Sequence, residues 1–177
     1  DMSVIHHAKS RLPWLIFLMV SSMITGAIIT RFEAVLSQVI VLVAYMPLLM
    51  GTGGNTGSQA ATLIIRGMTV GEIELSDVRK VLWKEVRVSL VIGMVLSMIN
   101  FLKIILIDGQ SVLIASTVCL SMLLIVVFAK LIGSLVPMTA KKIGIDPALM
   151  ANPMISSVTD MISVLTYFFL AAMLLGI

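Results

Sequence analysis

The sequence predicts an all-α integral membrane protein with five transmembrane helices, and three observations support this: its composition, its long apolar runs and the placement of its basic residues. Of 177 residues, 59% are hydrophobic and only 12% are charged, and the mean hydropathy is +1.14. A water-soluble domain would carry about 25% charged residues. The apolar excess must therefore face lipid.

The apolar runs are long enough to cross the hydrocarbon core of a bilayer, which needs about 20 helical residues. The predicted helices run from about Pro13 to Thr30, Leu36 to Arg66, Val81 to Leu106, Val112 to Val136 and Ala148 to Leu175. Short turns at residues 31–33 and 108–110 predict two antiparallel hairpins. Longer connections are expected at residues 68–77 and 137–147.

The basic residues predict the orientation of the chain. With five helices, nine lysines and arginines fall on the N-terminal side and only Arg31 and Lys103 on the other, while Lys130 lies inside the fourth helix and can snorkel. The N-terminus is then cytoplasmic and the C-terminus outside a multi-pass protein of the cell (inner) membrane. Since the basic residues adjoin apolar runs, the pI near 9.3 indicates a bilayer and no nucleic-acid partner.

The second predicted helix has an unusual middle. Residues 47–59 contain Pro47 and four glycines together with hydroxyl and amide groups. Proline removes a helical hydrogen bond, and Gly53–Gly54 permits either a departure from helical geometry or the close approach of a neighbour. Irregular backbone at membrane depth is tolerated only against protein or a water-filled cavity.

Two stripes of polar residues recur at helical spacing, one on the second helix and one on the fifth. Their members are Asn55, Gln59, Thr62 and Arg66, and Asn152, Ser156, Asp160 and Ser163. They predict the walls of a hydrophilic conduit. The alternative is helix–helix packing, because Gly53-x-x-x-Gly57 is a small-residue motif and polar side chains often bond between membrane helices.

Asp160 is the strongest candidate for a functional residue. It is the only acid in the last apolar run, where inserting a carboxylate costs at least ~2.5 kcal/mol. A structural ion pair at its depth is possible only with Lys130. We therefore expect Asp160 to face a partner, a bundle interior or a watery path.

No catalytic constellation accompanies these stripes, so the sequence predicts that the chain is not an enzyme. Both histidines precede the first predicted helix, which excludes a Ser–His–Asp set within the membrane, and His-Glu-x-x-His is absent. The available ligands are carboxylate, hydroxyl, amide and carbonyl oxygens, which suit hard cations such as Mg²⁺, Ca²⁺ or Mn²⁺. One aspartate cannot neutralise a divalent ion, but a two-fold dimer supplies two.

Two segments, at residues 47–63 and 146–160, resemble the signature segments of the MgtE family of Mg²⁺ channels, and Arg11-Leu-Pro-Trp14 is similar too. The resemblance covers all five predicted helices. It implies that residues 1–177 are a transmembrane pore domain and form a homodimer, with the pore at the two-fold axis between the second and fifth helices. Family members usually add cytosolic N and CBS domains that sense Mg²⁺, and none is in this sequence.

The resemblance also implies the metal-binding residues. Asp160 matches the pore carboxylate that binds hydrated Mg²⁺, and Ser156 matches a position whose backbone carbonyl faces that ion. Asn55 matches the asparagine of the Gly-Gly-Asn segment, and Asn152 and Asp146 match the cytoplasmic mouth.

Three functions follow as hypotheses from these patterns. The first is a Mg²⁺-selective channel in which Mn²⁺ or Ca²⁺ can substitute for Mg²⁺. The second is an exchanger that couples a divalent cation to Na⁺ or H⁺. The third is a membrane anchor for a soluble domain, which would leave the buried Asp160 unexplained.

Overall fold

The computed structural model describes residues 4–150 and 152–176, and every regular element in those ranges is a helix. Five of the helices are long. The α-helices are α1 Val4–Arg31, α2 Glu33–Gln38, α3 Val41–Thr69, α4 Val78–Leu106, α5 Val112–Lys142 and α6 Asn152–Leu175. Short 3₁₀ turns at Leu75–Asp77 and Pro147–Met150 precede α4 and α6.

Five long helices lie where the sequence predicts helices, but their boundaries differ: α1 begins at Val4 rather than Pro13, and two further differences have a reason in the packing. The second predicted helix, from Leu36, is interrupted: α2 ends at Gln38 and α3 begins at Val41. Phe32, Leu36 and Val39 pack against the hydrophobic core, so the short α2 segment bends over the end of the bundle.

The fourth predicted helix does not end at Val136, because α5 continues through Pro137 to Lys142. Pro137 is buried in the bundle, where packing offsets the backbone hydrogen bond that proline removes. The chain leaves the helix at Gly144, whose φ of +78° lies in the left-handed region that favours glycine after a helix end.

Four of the long helices are apolar enough to cross a membrane by length and composition: Arg11–Arg31, Leu75–Leu106, Val112–Lys142 and Pro153–Leu175. Helix α3 is 29 residues long but falls outside this group. Its glycines, threonines and amides lower its hydropathy in the segment that the sequence singles out.

Helix α5 is the centre of the bundle. Helices α3, α4 and α6 pack against it, whereas α1 lies on the outside and contacts mainly α6. The core between α3, α5 and α6 includes Leu49, Ile125 and Phe168, each almost fully buried. The Tyr167 hydroxyl adds a hydrogen bond, 2.9 Å long, to the Leu42 carbonyl of α3.

Glycines let α3 approach α5 at van der Waals distance. A Cβ on Gly133 of α5 would lie 2.1 Å from the carbonyl oxygen of Gly57, and one on Gly57 would lie 3.2 Å from the carbonyl oxygen of Ala129. The packing interpretation is therefore correct for Gly57, Ala129 and Gly133. Helix α3 stays helical through residues 51–57, so its glycines serve close approach rather than a broken backbone.

Lys130 does not snorkel. Its side chain is 2% exposed, and its Nζ lies 3.1 Å from Oε2 of Glu85 on α4. The snorkelling expectation is therefore wrong, because a buried carboxylate compensates the ammonium where it stands. Lys130 is thus no partner for Asp160.

Candidate cation-binding face

One side of α3 presents the predicted polar stripe to the outside of the single chain. Asn55, Gln59, Thr62 and Arg66 are all exposed. Helix α3 buries its glycines and apolar residues against α5 and α6, so its polar residues are left on the uncovered side. The structure confirms that these four residues form one open face.

Helix α6 brings Asp160 to the edge of this face. The side chain is half-buried and lies against Gly54 of α3, where a Cβ would be 3.9 Å from Asp160 Oδ1 and 3.6 Å from Ser156 Oγ. Both are ordinary van der Waals distances, so Asp160 lies beside α3 next to the position of Asn55 without depending on the glycine. No hydrogen bond or salt bridge to Asp160 is formed by the residues that the structure describes.

Ser156 sits one turn before Asp160 and uses both of its oxygens. Its hydroxyl oxygen lies 3.4 Å from the hydroxyl oxygen of Ser58 on α3. Its backbone carbonyl accepts a hydrogen bond of 2.9 Å from the Thr159 hydroxyl, in addition to the helical bond from the Asp160 amide. The sequence leaves Ser58 open between helix packing and the polar face, and it gives no indication of Thr159, although Thr159 adjoins Asp160.

Ser163, the last member of the predicted α6 stripe, does not reach the open face. It is 1% exposed, and its hydroxyl would lie 2.6 Å from a Cβ at Gly53. Its Oγ has no hydrogen-bond partner within the described part of the chain. The stripe therefore divides: Ser156 and Asp160 reach the edge of the face, and Ser163 packs against α3.

The two predicted residues of the mouth lie apart from Asp160. Asp146 is exposed, and its Oδ1 accepts a hydrogen bond of 2.9 Å from the Ala148 amide at the 3₁₀ turn before α6. Asn152 begins α6, about 12 Å along the helix from Asp160, and its side chain is outside the described residues. The structure therefore does not bring Asp146 together with Asp160 in one site.

The electrostatics of the face are dominated by a single acid. Within residues 4–150 and 152–176, no three His, Cys, Asp or Glu side chains are grouped closely enough to hold a metal ion. One chain thus offers one carboxylate, two serine hydroxyls and an amide, all with oxygen atoms that suit hard cations. The fold and this face define a multi-pass helical membrane protein with a polar, acid-bearing face along α3 and α6.

Comparison with known proteins gives the family. The family model described as "Divalent cation transporter", MgtE, matches residues 46–170, and the chain belongs to that family. It is similar to three proteins named magnesium transporter MgtE. The identities are 41% over 94% of this chain for the one from Thermus thermophilus, 35% over 93% for the one from Bacillus subtilis and 32% over 94% for the one from Enterococcus faecalis.

The chain spans 36% of the length of each of these relatives. The family is one of transporters rather than enzymes, in agreement with the sequence-based prediction. The matched residues contain most of α3 and α6, and Asn55, Asp146, Asn152 and Asp160 all lie within them.

Proposed function

We propose that two copies of this chain form a Mg²⁺-selective channel, with α3 and α6 of each copy lining a pore at the two-fold axis. The observation that carries the proposal is Asp160: a half-buried carboxylate at mid-helix, without a basic partner in the described chain, at the edge of an open polar face. Ionisable residues at such depth mark ion pathways.

The second copy supplies what one chain lacks. One carboxylate cannot neutralise a divalent cation, whereas a two-fold axis along the open face brings two Asp160 side chains together with a combined charge of −2. The same contact covers Asn55 and Gln59, which are otherwise exposed along a helix too polar for lipid. Helix α3 then becomes the fifth transmembrane helix, since its polar side faces the pore.

The pore holds a hydrated ion. Mg²⁺ dehydrates reluctantly and usually keeps several waters, so the protein oxygens contact those waters. The backbone carbonyl of Ser156 faces the hydrated ion one turn before Asp160, and the Ser156 hydroxyl, beside that of Ser58, adds a second oxygen. A site of this kind selects ions by their charge and hydrated size, so Mn²⁺ or Ca²⁺ can also occupy it. Asn152 and Asp146 contribute to the cytoplasmic entrance.

The basic residues set the orientation of this pore in the cell membrane. The ends of α3, α4 and α5 near Arg66, Lys80 and Lys141 are cytoplasmic by the positive-inside rule. The N-terminus is then cytoplasmic, and five helices put the C-terminus outside. Cytosolic N and CBS domains of the full-length protein would regulate this pore by sensing Mg²⁺.

Mg²⁺ uptake into liposomes that contain the purified chain tests the proposal. Asp160→Asn should lower uptake about ten- to a hundred-fold, since charge-assisted contacts contribute about 1.5–3 kcal/mol. The matched control is Glu33→Gln, which neutralises an exposed carboxylate of the short α2 helix and should leave uptake unchanged.

Equal uptake by Asp160→Asn and the unmodified chain would refute the role of Asp160. A channel needs only a Mg²⁺ gradient, whereas an exchanger needs Na⁺ or H⁺ on the opposite side. Uptake that stops when the Na⁺ and proton gradients are removed would therefore replace the channel by the exchanger.

A further inference from the structure

A groove on the other side of α3 lies outside the proposed pore. Helices α3 and α4 both pack against α5 but scarcely touch each other, and a cavity of about 690 Å³ opens between them beside the α4–α5 turn. Met122 of α5 lies at its floor, and apolar side chains such as Leu48 and Leu96 form its walls. Its volume is within the range of about 300–1,000 Å³ that ligand pockets occupy.

The wall of this groove contains a buried amide that lacks a strong acceptor. Asn100 of α4 is 8% exposed, and its Nδ2 has no hydrogen-bond partner in the part of the chain that the structure describes. The neighbouring Cys119 thiol is a weak acceptor. An unsatisfied buried donor costs about 1–3 kcal/mol, so an occupant with an exposed oxygen acceptor would be favoured here.

The mouth of the groove carries both signs of charge. Lys103 Nζ lies 2.6 Å from Asp108 Oδ2, and the Tyr45 hydroxyl donates to the same oxygen at 2.9 Å. The Lys103 ammonium holds the pKa of Asp108 below its usual range, so the pair is charged at neutral pH. A headgroup with one positive and one negative group complements such a mouth.

The position of Asn100 along α4 indicates which chemical group of an occupant would meet its amide. Six residues separate Asn100 from the end of α4 at Leu106, which places the amide about 9 Å below the helix end. With the end of α4 at Leu106 taken as the outer surface of the interfacial layer, which is about 5–8 Å thick in each leaflet, the amide lies near the depth of the ester carbonyls of a diacyl lipid. Lys103, one turn above, lies at headgroup depth.

We propose that this groove binds one zwitterionic diacyl phospholipid from the leaflet on the side of the α4–α5 turn. An ester carbonyl of the lipid accepts a hydrogen bond from Asn100 Nδ2, and one acyl chain lies along Leu48, Leu96 and Ile99. The phosphate and ammonium of the headgroup pair with Lys103 and Asp108.

Native mass spectrometry of the delipidated chain, titrated with phosphatidylethanolamine, tests this inference. Asn100→Leu removes the donor at similar volume and should weaken the first bound lipid about three- to ten-fold, the effect of one hydrogen bond. The matched control is Met98→Leu, because Met98 lies on the same helix, is 69% exposed and does not line the groove. It should leave the affinity unchanged.

A thermal melt distinguishes weaker lipid binding from a loss of folding stability in the Asn100→Leu variant. Without lipid, the melting temperature of Asn100→Leu should equal or exceed that of the unmodified chain, because the substitution removes an unsatisfied donor. Added phosphatidylethanolamine should raise the melting temperature of Asn100→Leu less than it raises that of the unmodified chain. Equal lipid affinity in the two chains would overturn the inference. So would a lower lipid-free melting temperature, which would give the amide an internal partner, or a preference for phosphatidylglycerol, which would exclude the zwitterionic headgroup.

Discussion

At the scale of residues, the buried ion pair Lys130–Glu85 and the carboxylate of Asp160 lie in different environments. Lys130 and Glu85 are both buried and compensate each other at 3.1 Å. Asp160 is half-buried at the edge of an open face without a basic partner among the described residues. The paired charges join α4 to α5, whereas we propose that the unpaired carboxylate of Asp160 binds a cation.

Lys130→Met should destabilise the chain by about 3–5 kcal/mol, because it leaves Glu85 buried without its counter-ion. The double variant Lys130→Met/Glu85→Leu should recover most of that loss, since it removes both charges. Unfolding in a denaturing detergent titration measures both.

The comparison for this prediction is Lys103→Met, which breaks a more exposed ion pair and should cost no more than about 1 kcal/mol. If Lys130→Met and Lys103→Met cost the same, the Lys130–Glu85 pair does not hold α4 on α5.

The isolation of Asp160 can be read from the sequence, but the pairing of Lys130 with Glu85 cannot. The isolation of an acid in an apolar run is a local property that can be read from neighbouring residues. The pairing of residues 45 positions apart depends on how α4 packs on α5, which no local pattern contains. The burial of Ser163 at the end of the α6 stripe also depends on tertiary packing, because its hydroxyl lies against Gly53 of α3.

At the scale of elements, the apolar runs of the sequence predict the positions of the long helices but not where those helices end. Helix α5 passes through Pro137 because its surroundings are packed, and the glycine-rich middle of α3 remains helical because α5 and α6 lie against it. Local propensity favours a stop or a break at both places, and tertiary packing overrides it. Gly53 and Gly57 of α3 are therefore contact residues, whereas Gly51 is not.

Gly133→Ala should destabilise the bundle by about 1–3 kcal/mol, the usual cost of overpacking, because its Cβ would meet the backbone of Gly57. Gly51→Ala has open space around it and should stabilise α3 by up to ~1 kcal/mol, the difference in helix propensity. Thermal melts in the same detergent compare the two variants. A Gly133→Ala chain as stable as the Gly51→Ala chain would show that α3 and α5 are not in close contact.

At the scale of the whole molecule, the proposed cation site needs a second copy of the chain. It buries its apolar residues around α5 and leaves a polar face with one carboxylate open on α3 and α6. The sequence predicts the face, because polar residues recur at helical spacing. It does not determine how a second copy would meet that face, since one chain contains no information on the distance between two Asp160 side chains.

Binding of Mn²⁺ as a paramagnetic substitute for Mg²⁺ tests the shared site most directly. Electron paramagnetic resonance counts the ions bound per chain in the unmodified protein and in Asp160→Asn. We predict that the substitution removes one ion for every two chains, because two carboxylates share it across the axis. Loss of one ion from every chain, or no loss, would contradict a shared site at Asp160.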